Sequence, residues 1–413
     1  MKKRNFIISM LTLIFSSSFF PYVIYVSPIT LAPAILLLLA TAFYLIPILH
    51  IAKSKSIISI FRVKRLFFLI FIVSIIPTII AVVRHDWYSV GYATGMILVL
   101  ISVQKILDVV SIRDVLKSFA ASALICVPLF VALNVSLIIN SLVHGQRFDP
   151  THAHPNLIGF VFVGYLMACA WMLTQANLNK VWKWTYIIVM IVAGVSVFAA
   201  SSRASMLGLA VGLGTAAYLK YSKRISLERM PLVVGLTFIC ILFTSIFLVI
   251  NHALYFHFEQ YVIKILALNS QFRGFGSGLS GRLVNWQIAL DHIASGISWF
   301  TGHGYRSSFK NLGLLIDNGY LVVWYELGLM GILFIIFQII WLIRILIKLS
   351  AVPGLPYSVQ NIYLTLIAIV IAYAINNIFD RYLFGIGNPF SLFGLFLILL
   401  RKDDLVKLMS YKL

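Results

Sequence analysis

Runs of about 20 apolar residues recur along nearly the whole chain, and each is long enough as an α-helix to cross about 30 Å of hydrocarbon. This feature restricts the fold more than any other. In lipid, every backbone N–H and C=O must be satisfied within the protein, so only helices and closed barrels can span. A barrel would show short alternating strands, and no such period is present. Composition agrees: 61% of the 413 residues are hydrophobic and 11% charged, more apolar surface than a soluble protein of this length can bury. The sequence therefore reads as an all-α polytopic membrane protein of about twelve transmembrane helices. The spans are expected near 6–25, 29–50, 66–83, 88–104, 118–140, 157–174, 185–200, 204–219, 231–251, 319–343, 361–378 and 389–400.

The formal net charge of +20 would suggest nucleic acid in a soluble protein. Here the positions of the charges matter more, because cytoplasmic loops are enriched in Lys and Arg. With the N-terminus inside, all but nine of the 32 basic residues fall on inner segments. The nine are Arg84, Arg147, Arg203, Lys264, Arg273, Arg282, Arg306, Lys310 and Arg381. This asymmetry predicts an inner-membrane protein with both termini cytoplasmic, and it removes the case for nucleic acid. Lys2, Lys3 and Arg4 precede an apolar run like that of a signal peptide, but no small-residue cleavage site follows, so a retained first helix is expected. Cys126, Cys169 and Cys240 lie in apolar runs and read as small core residues.

The chain reads as one membrane domain, residues 1–413, with one large outer excursion at 252–317. This excursion is too long for a simple connector. Within it, Leu283, Trp286, Leu290 and Ile293 recur at helical spacing. They predict a short amphipathic helix capped by Ser280 and packed on the bundle or lying at the membrane surface.

The polar residues suited to chemistry are on the outer side. Arg203, in Ser201-Ser-Arg-Ala-Ser205, joins two apolar stretches of about 16 residues, so it is expected at or just below the interface. A guanidinium there can grip phosphate oxygens with its planar fork, and the alternative is an arginine that snorkels to the headgroups. Arg282 opens the loop helix and is either a second anion contact or a solvent-facing arginine. Asp317 is either a helix N-cap or, if burial raises its pKa, a carboxylate that accepts a proton from a sugar hydroxyl. His303 sits in Gly302-His-Gly-Tyr-Arg306, while His152 and His154 lie in a stiff turn before the sixth span. A His-x-His pair is weak evidence for zinc, and without HExxH, CxxC or an acidic cluster no metal is expected. Arg147, His154, Arg306 and Asn318 are further candidates for substrate contact. Asp380 and Arg381 are expected to pair with each other. No P-loop or nucleotide motif is present, so the reaction needs no soluble nucleotide and no cofactor is expected. A transporter would predict inverted repeats, broken helices and charges near mid-bilayer, and no span reads as carrying a charge at its centre.

These features in this order resemble the bacterial O-antigen polymerases and O-antigen ligases, the Wzy and WaaL type. The resemblance rests on the span count, with the long periplasmic loop between the ninth and tenth helices. It also rests on Ser202-Arg203-Ala204, on Ser280-Gly-Arg-Leu-Val-Asn-Trp286 with the Gly302-His-Gly304 turn, and on Asp317-Asn-Gly319 with Gly328 and Gly331. Ligases of the family carry a histidine where this chain has Asp317, which favours polymerase. The resemblance implies metal-independent glycosyl transfer from undecaprenyl-diphosphate-linked glycans. The product would be a surface polysaccharide, O-antigen or capsule, and the partners membrane lipids and a chain-length regulator. It also implies that Arg203 and Arg282 contact the diphosphate and that Asp317, or less favourably His303, orients or deprotonates the acceptor. The alternative within the family is transfer to lipid A–core.

Overall fold

The computed structural model describes residues 2–19, 75–144, 148, 154–175, 177–221, 282–294, 297–383 and 388–410. The expected spans at 29–50 and 231–251, and the first part of the 252–317 loop including Ser280, lie outside these residues.

The described elements are helical. They are α1 (Lys2–Phe19), α2 (Ile76–Val83), α3 (Trp87–Val109), α4 (Ile112–His144), α5 (Pro155–Leu173), α6 (Lys180–Ala199) and α7 (Arg203–Tyr221). Further along the chain come α8 (Arg282–Ala294), α9 (Ser298–Thr301), α10 (Ser307–Leu312), α11 (Gly319–Ser350), α12 (Tyr357–Phe379), α13 (Pro389–Leu399) and α14 (Lys402–Ser410). Among the described residues, six helices are long and apolar enough to cross a membrane: α3 from Ser89, α4, α5, α6, α11 and α12. The protein is thus a helical, multi-pass membrane protein.

Polar residues set the helix starts. Asn179 accepts from the Trp182 N–H at 2.9 Å, and Asn388 from Ser391 at 2.8 Å with Pro389 opening α13. Each satisfies an N–H that has no partner within its own helix. The core is aromatic: Phe119 stacks on Phe393 at 4.8 Å between ring centres, and Phe15, Tyr165 and Phe390 pack around them.

Helix α7 packs most closely on α12. Gly208 and Gly212, four residues apart, face the backbone of Ala372 and Ala368, and neither position has room for a Cβ. Small residues at this spacing let two backbones approach where hydrophobic force between helices is weak. The same contact brings the start of α7 beside the end of α12. With the starts of α5 and α11 they form one end of the bundle, the Arg203 end. At the opposite end Lys220 donates to Tyr357 at 2.8 Å, Arg113 to Gln175 at 3.0 Å and Arg401 to Asp108 at 3.0 Å.

Helix α11 departs from the expected single span at 319–343. It is broken at Gly328, whose φ of 73° and ψ of −176° lie in a region open almost solely to glycine. The break frees the carbonyls of Tyr325 and Glu326, which accept from the backbone N–H groups of His303 and Gly304, each at 2.9 Å. Gly302 and Gly328 cross so closely that a Cβ on Gly302 would meet the Gly328 nitrogen at 2.6 Å. The Gly302-His-Gly304 turn is therefore locked into the notch of α11. Glu326 lies beside the break and is only 6% exposed, which corrects the reading that no span carries an interior charge. Its carboxylate accepts from the Ser308 hydroxyl at 2.7 Å and from the backbone of Arg306 and Ser308.

The loop helix forms as expected, as α8, but its buried face differs. Ala289 and Ile293 are buried against Ile316 and Tyr325, with Trp286 partly covered, whereas Leu283 and Leu290 are exposed. The contact is narrower than the sequence stripe because α8 packs on α11 along part of its length, with the short α9 beside it.

Candidate functional site

The site lies at the Arg203 end. Ser201 takes a left-handed φ of 53°, which turns the chain sharply from α6 into α7. Ser202 and Ser205 share a hydroxyl–hydroxyl hydrogen bond of 2.8 Å, and Gly159 of α5 packs against both so tightly that a Cβ would meet the Ser202 side chain at 2.6 Å. Arg203 is thereby fixed at the first turn of α7. Its charged form is disfavoured by partial burial and by the like charge of Arg282. Two guanidiniums from segments 79 residues apart in sequence therefore share one electrostatic environment.

Arg282, at the start of α8, stands between two carboxylates. Its Nε is 3.8 Å from Asp317 and its Nη2 3.7 Å from Asp380. Both separations exceed a hydrogen bond, so the fork is balanced electrostatically while these contacts leave its N–H donors unspent. Asp380 is buried, with 2% side-chain exposure, and also accepts from the Asn156 amide at 2.9 Å. The expected pairing of Asp380 with Arg381 is therefore corrected: Asp380 turns inward to Arg282 and Asn156, and Arg381 is exposed. Asp380 and Asn156 are the residues that sequence reasoning missed. The available signal was an acid at the end of an apolar run, which an adjacent arginine seemed to explain.

Asn318 caps α11, accepting from the N–H groups of Tyr320 and Leu321 at 3.0 Å each. Capping was the competing role for Asp317. That role belongs to its neighbour, and the Asp317 side chain, a third exposed, is free of it. His154 caps α5, with Nδ1 accepting from the Asn156 N–H at 3.3 Å, so it supports the helix that presents Asn156 to Asp380. Arg147 and His152 lie outside the described residues.

His303 and Arg306 have their contacts at a different corner. His303 Nδ1 lies 2.8 Å from Arg84 Nη1, and its ring stacks on Tyr325 at 4.3 Å. Burial, then the charges of Arg84 and His292, push its pKa down to about 4. Arg306 lies over the Tyr92 ring and donates to the Tyr92 hydroxyl at 2.6 Å. Because its folded pKa lies below the ordinary 6.5, His303 favours the folded state fully above about pH 6.5, and this contribution falls away as pH drops towards 4. We expect the His303 ring to stay neutral at pH 5.5 in the folded protein. Nitrogen chemical shifts of labelled histidine would check this, and a protonated ring at that pH would exclude the Arg84 contact.

The charged cluster contains no candidate metal centre among the described residues. Its chemistry is that of an anion site: two arginines, one held between acids, at the mouth of an apolar bundle. None of the curated proteins compared with the chain matches it. Residues 188–336 match the family described as O-Antigen ligase, a segment that includes Arg203, Arg282, His303 and Asp317 but not Asn156 or Asp380. The similarity to the O-antigen ligase family thus extends over the segment that supplies both arginines and Asp317.

Proposed function

We propose that the protein polymerises oligosaccharide repeat units carried on undecaprenyl diphosphate, by glycosyl transfer at the outer face of the inner membrane. Members of the matched family are glycosyl-transferring enzymes of polysaccharide synthesis. The observation that carries the proposal is the pair Arg203 and Arg282, brought together from separate helices, with Arg282 steered by Asp317 and Asp380.

In the reaction the acceptor hydroxyl oxygen forms a bond to the donor's anomeric carbon. The bond from that carbon to the diphosphate oxygen breaks, and the diphosphate leaves with added negative charge. Preorganised guanidiniums aimed at the leaving group stabilise that charge more in the transition state than in the ground state. The acceptor proton passes to Asp317 or to solvent. The contribution of Asp317 rests on position: its side chain is a third exposed and stands 3.8 Å from the Arg282 guanidinium. His303, neutral and bonded to Arg84, serves less well as the base.

Asp317→Asn separates these roles, because capping belongs to Asn318. We expect turnover to fall on the order of 10²-fold if Asp317 takes the proton. A raised KM for the donor with unchanged turnover would instead make it a positioning residue for Arg282.

Transfer to lipid A–core is the second reading, favoured by the description of the matched family. Lipopolysaccharide and undecaprenyl-linked glycan from cells lacking the protein decide between them. Core bearing a single repeat, without long polymer on the carrier, establishes polymerase. Bare core with long polymer stranded on the carrier establishes ligase.

A further inference from the structure

A second cationic corner lies at the Arg203 end, away from the Arg203–Arg282 pair. Its base is the turn between α2 and α3. Arg84 follows directly on the apolar α2, whose Ile79, Val82 and Val83 are exposed, and Trp87 beyond it is exposed as well. The segment 302–310 is clamped onto this turn by three contacts: Arg84 with His303 at 2.8 Å, Arg306 with the Tyr92 hydroxyl at 2.6 Å, and Lys310 with Asp86 at 3.2 Å. Gly304 packs against Ser89 with no room for a side chain. From the other side the segment is held by the broken helix α11, through the carbonyls of Tyr325 and Glu326 and the Glu326 carboxylate.

This mount fixes an arginine that would otherwise be mobile. A snorkelling arginine reaches freely into the headgroups, whereas Arg84 is tethered by one Nη to a histidine and a carbonyl. Arginine has donors only, so the neutral ring must accept at Nδ1. Among the described residues those are its only recorded hydrogen-bond partners, which leaves the rest of the fork for a ligand. Arg84 is also exposed. The acid associated with this corner is largely committed: Glu326 is turned inward to Ser308 and backbone N–H groups, and Asp86 caps α3 and holds Lys310. An exposed guanidinium directly above apolar, exposed side chains matches a phosphate at the head of a lipid chain. His292, on α8, adds to the local field at His303 and stands roughly 15 Å along that helix from Arg282. The corner and the Arg203–Arg282 pair are thus linked by one short helix.

We propose that the Arg84 corner binds the diphosphate of a second polyprenyl-linked substrate, the acceptor, while Arg203 and Arg282 hold the donor. The inference rests on the polymerase reading, in which both substrates are carried by lipid diphosphates. It gives the broken helix α11 a role as the mount that sets one substrate's headgroup relative to the other.

The test counts undecaprenyl diphosphate bound to the full-length protein in phosphatidylcholine nanodiscs. The wild type should bind two per chain, and Arg84→Ala and Arg203→Ala one each. A wild type that binds one, or Arg84→Ala that still binds two, overturns the proposal. Replacing phosphatidylcholine with phosphatidylglycerol should leave the count at two. Loss of the second equivalent there would mean a site for bulk anionic headgroups and would also overturn it. If Arg84→Ala does not yield folded protein, Arg84→Lys decides: one of the two sites should weaken about tenfold, the scale of a lost bidentate contact, and two unaltered sites would refute the assignment. Supplying a lipid-linked repeat to the same wild-type discs tests the functional reading separately. Absence of transfer there removes the polymerase reading whatever the binding count.

Discussion

Arg203→Ala is expected to abolish long polymer while leaving the protein in the membrane at its normal level. Removing a preorganised cation from a leaving group costs on the order of 10²–10³ in turnover. Fold should survive the change, because α7 is held by Gly208 and Gly212 against α12 and by Ser202 and Ser205 against Gly159. Arg282→Ala should lose as much activity and stability as well. It takes the guanidinium away from the Asp380 carboxylate, 2% exposed, and removing one partner of a buried ion pair costs about 3–5 kcal/mol. Arg282→Lys separates the two effects. Lysine restores charge near Asp317 and Asp380 but is a point charge without the planar fork, so protein level should recover further than polymer length. Immunoblots of membranes beside lipopolysaccharide gels read both. Normal chain length in Arg203→Ala would remove that residue from the site.

The second large effect is structural. Gly328→Ala should destabilise the protein by about 3–5 kcal/mol, from a backbone conformation that alanine adopts poorly and a Cβ driven into its surroundings. The added atom would overlap the Phe300 carbonyl and come within 2.7 Å of the Gly302 nitrogen, and backbone on both sides cannot swing aside as a flexible side chain can. Relieving the clash would unseat the Gly302–Gly304 turn, and with it His303, Arg306 and Lys310. Gly194→Ala is the control: it lies within α6 with open space around its Cβ, and alanine favours the helix by about 0.5–1 kcal/mol. Thermal unfolding in detergent compares the two, and equal stability would mean that α11 can close its break.

Most of the helical framework is legible in the sequence, because its causes are local. Apolar length sets which segments can span, and the helices at 87–109, 155–173, 180–199 and 357–379 fall on expected runs to within a few residues, apart from somewhat longer ends. Arg203 at the start of α7 and Arg282 at the start of α8 follow from the same reasoning, since each sits where an apolar or periodic stretch begins. The break at Gly328 was not legible. The surrounding run is apolar enough to read as one span, and a glycine within a helix signals a break only when another segment takes up the freed carbonyls.

Sequence alone determined that this chain is a helical membrane protein, where many of its helices begin, and which arginines stand at their ends. Tertiary structure decided which acids those arginines meet. Asp380 looked like the partner of Arg381 next to it, yet α12 ends beside α5 and α8, so the carboxylate reaches Asn156, 224 positions away, and Arg282. It likewise gave the capping of α11 to Asn318 instead of Asp317, and it assigned His303 to Arg84, 219 positions distant. Helix formation depends on hydrogen bonds and side-chain spacing within a few turns. An ion pair between helices depends on how the bundle closes, which no local pattern encodes.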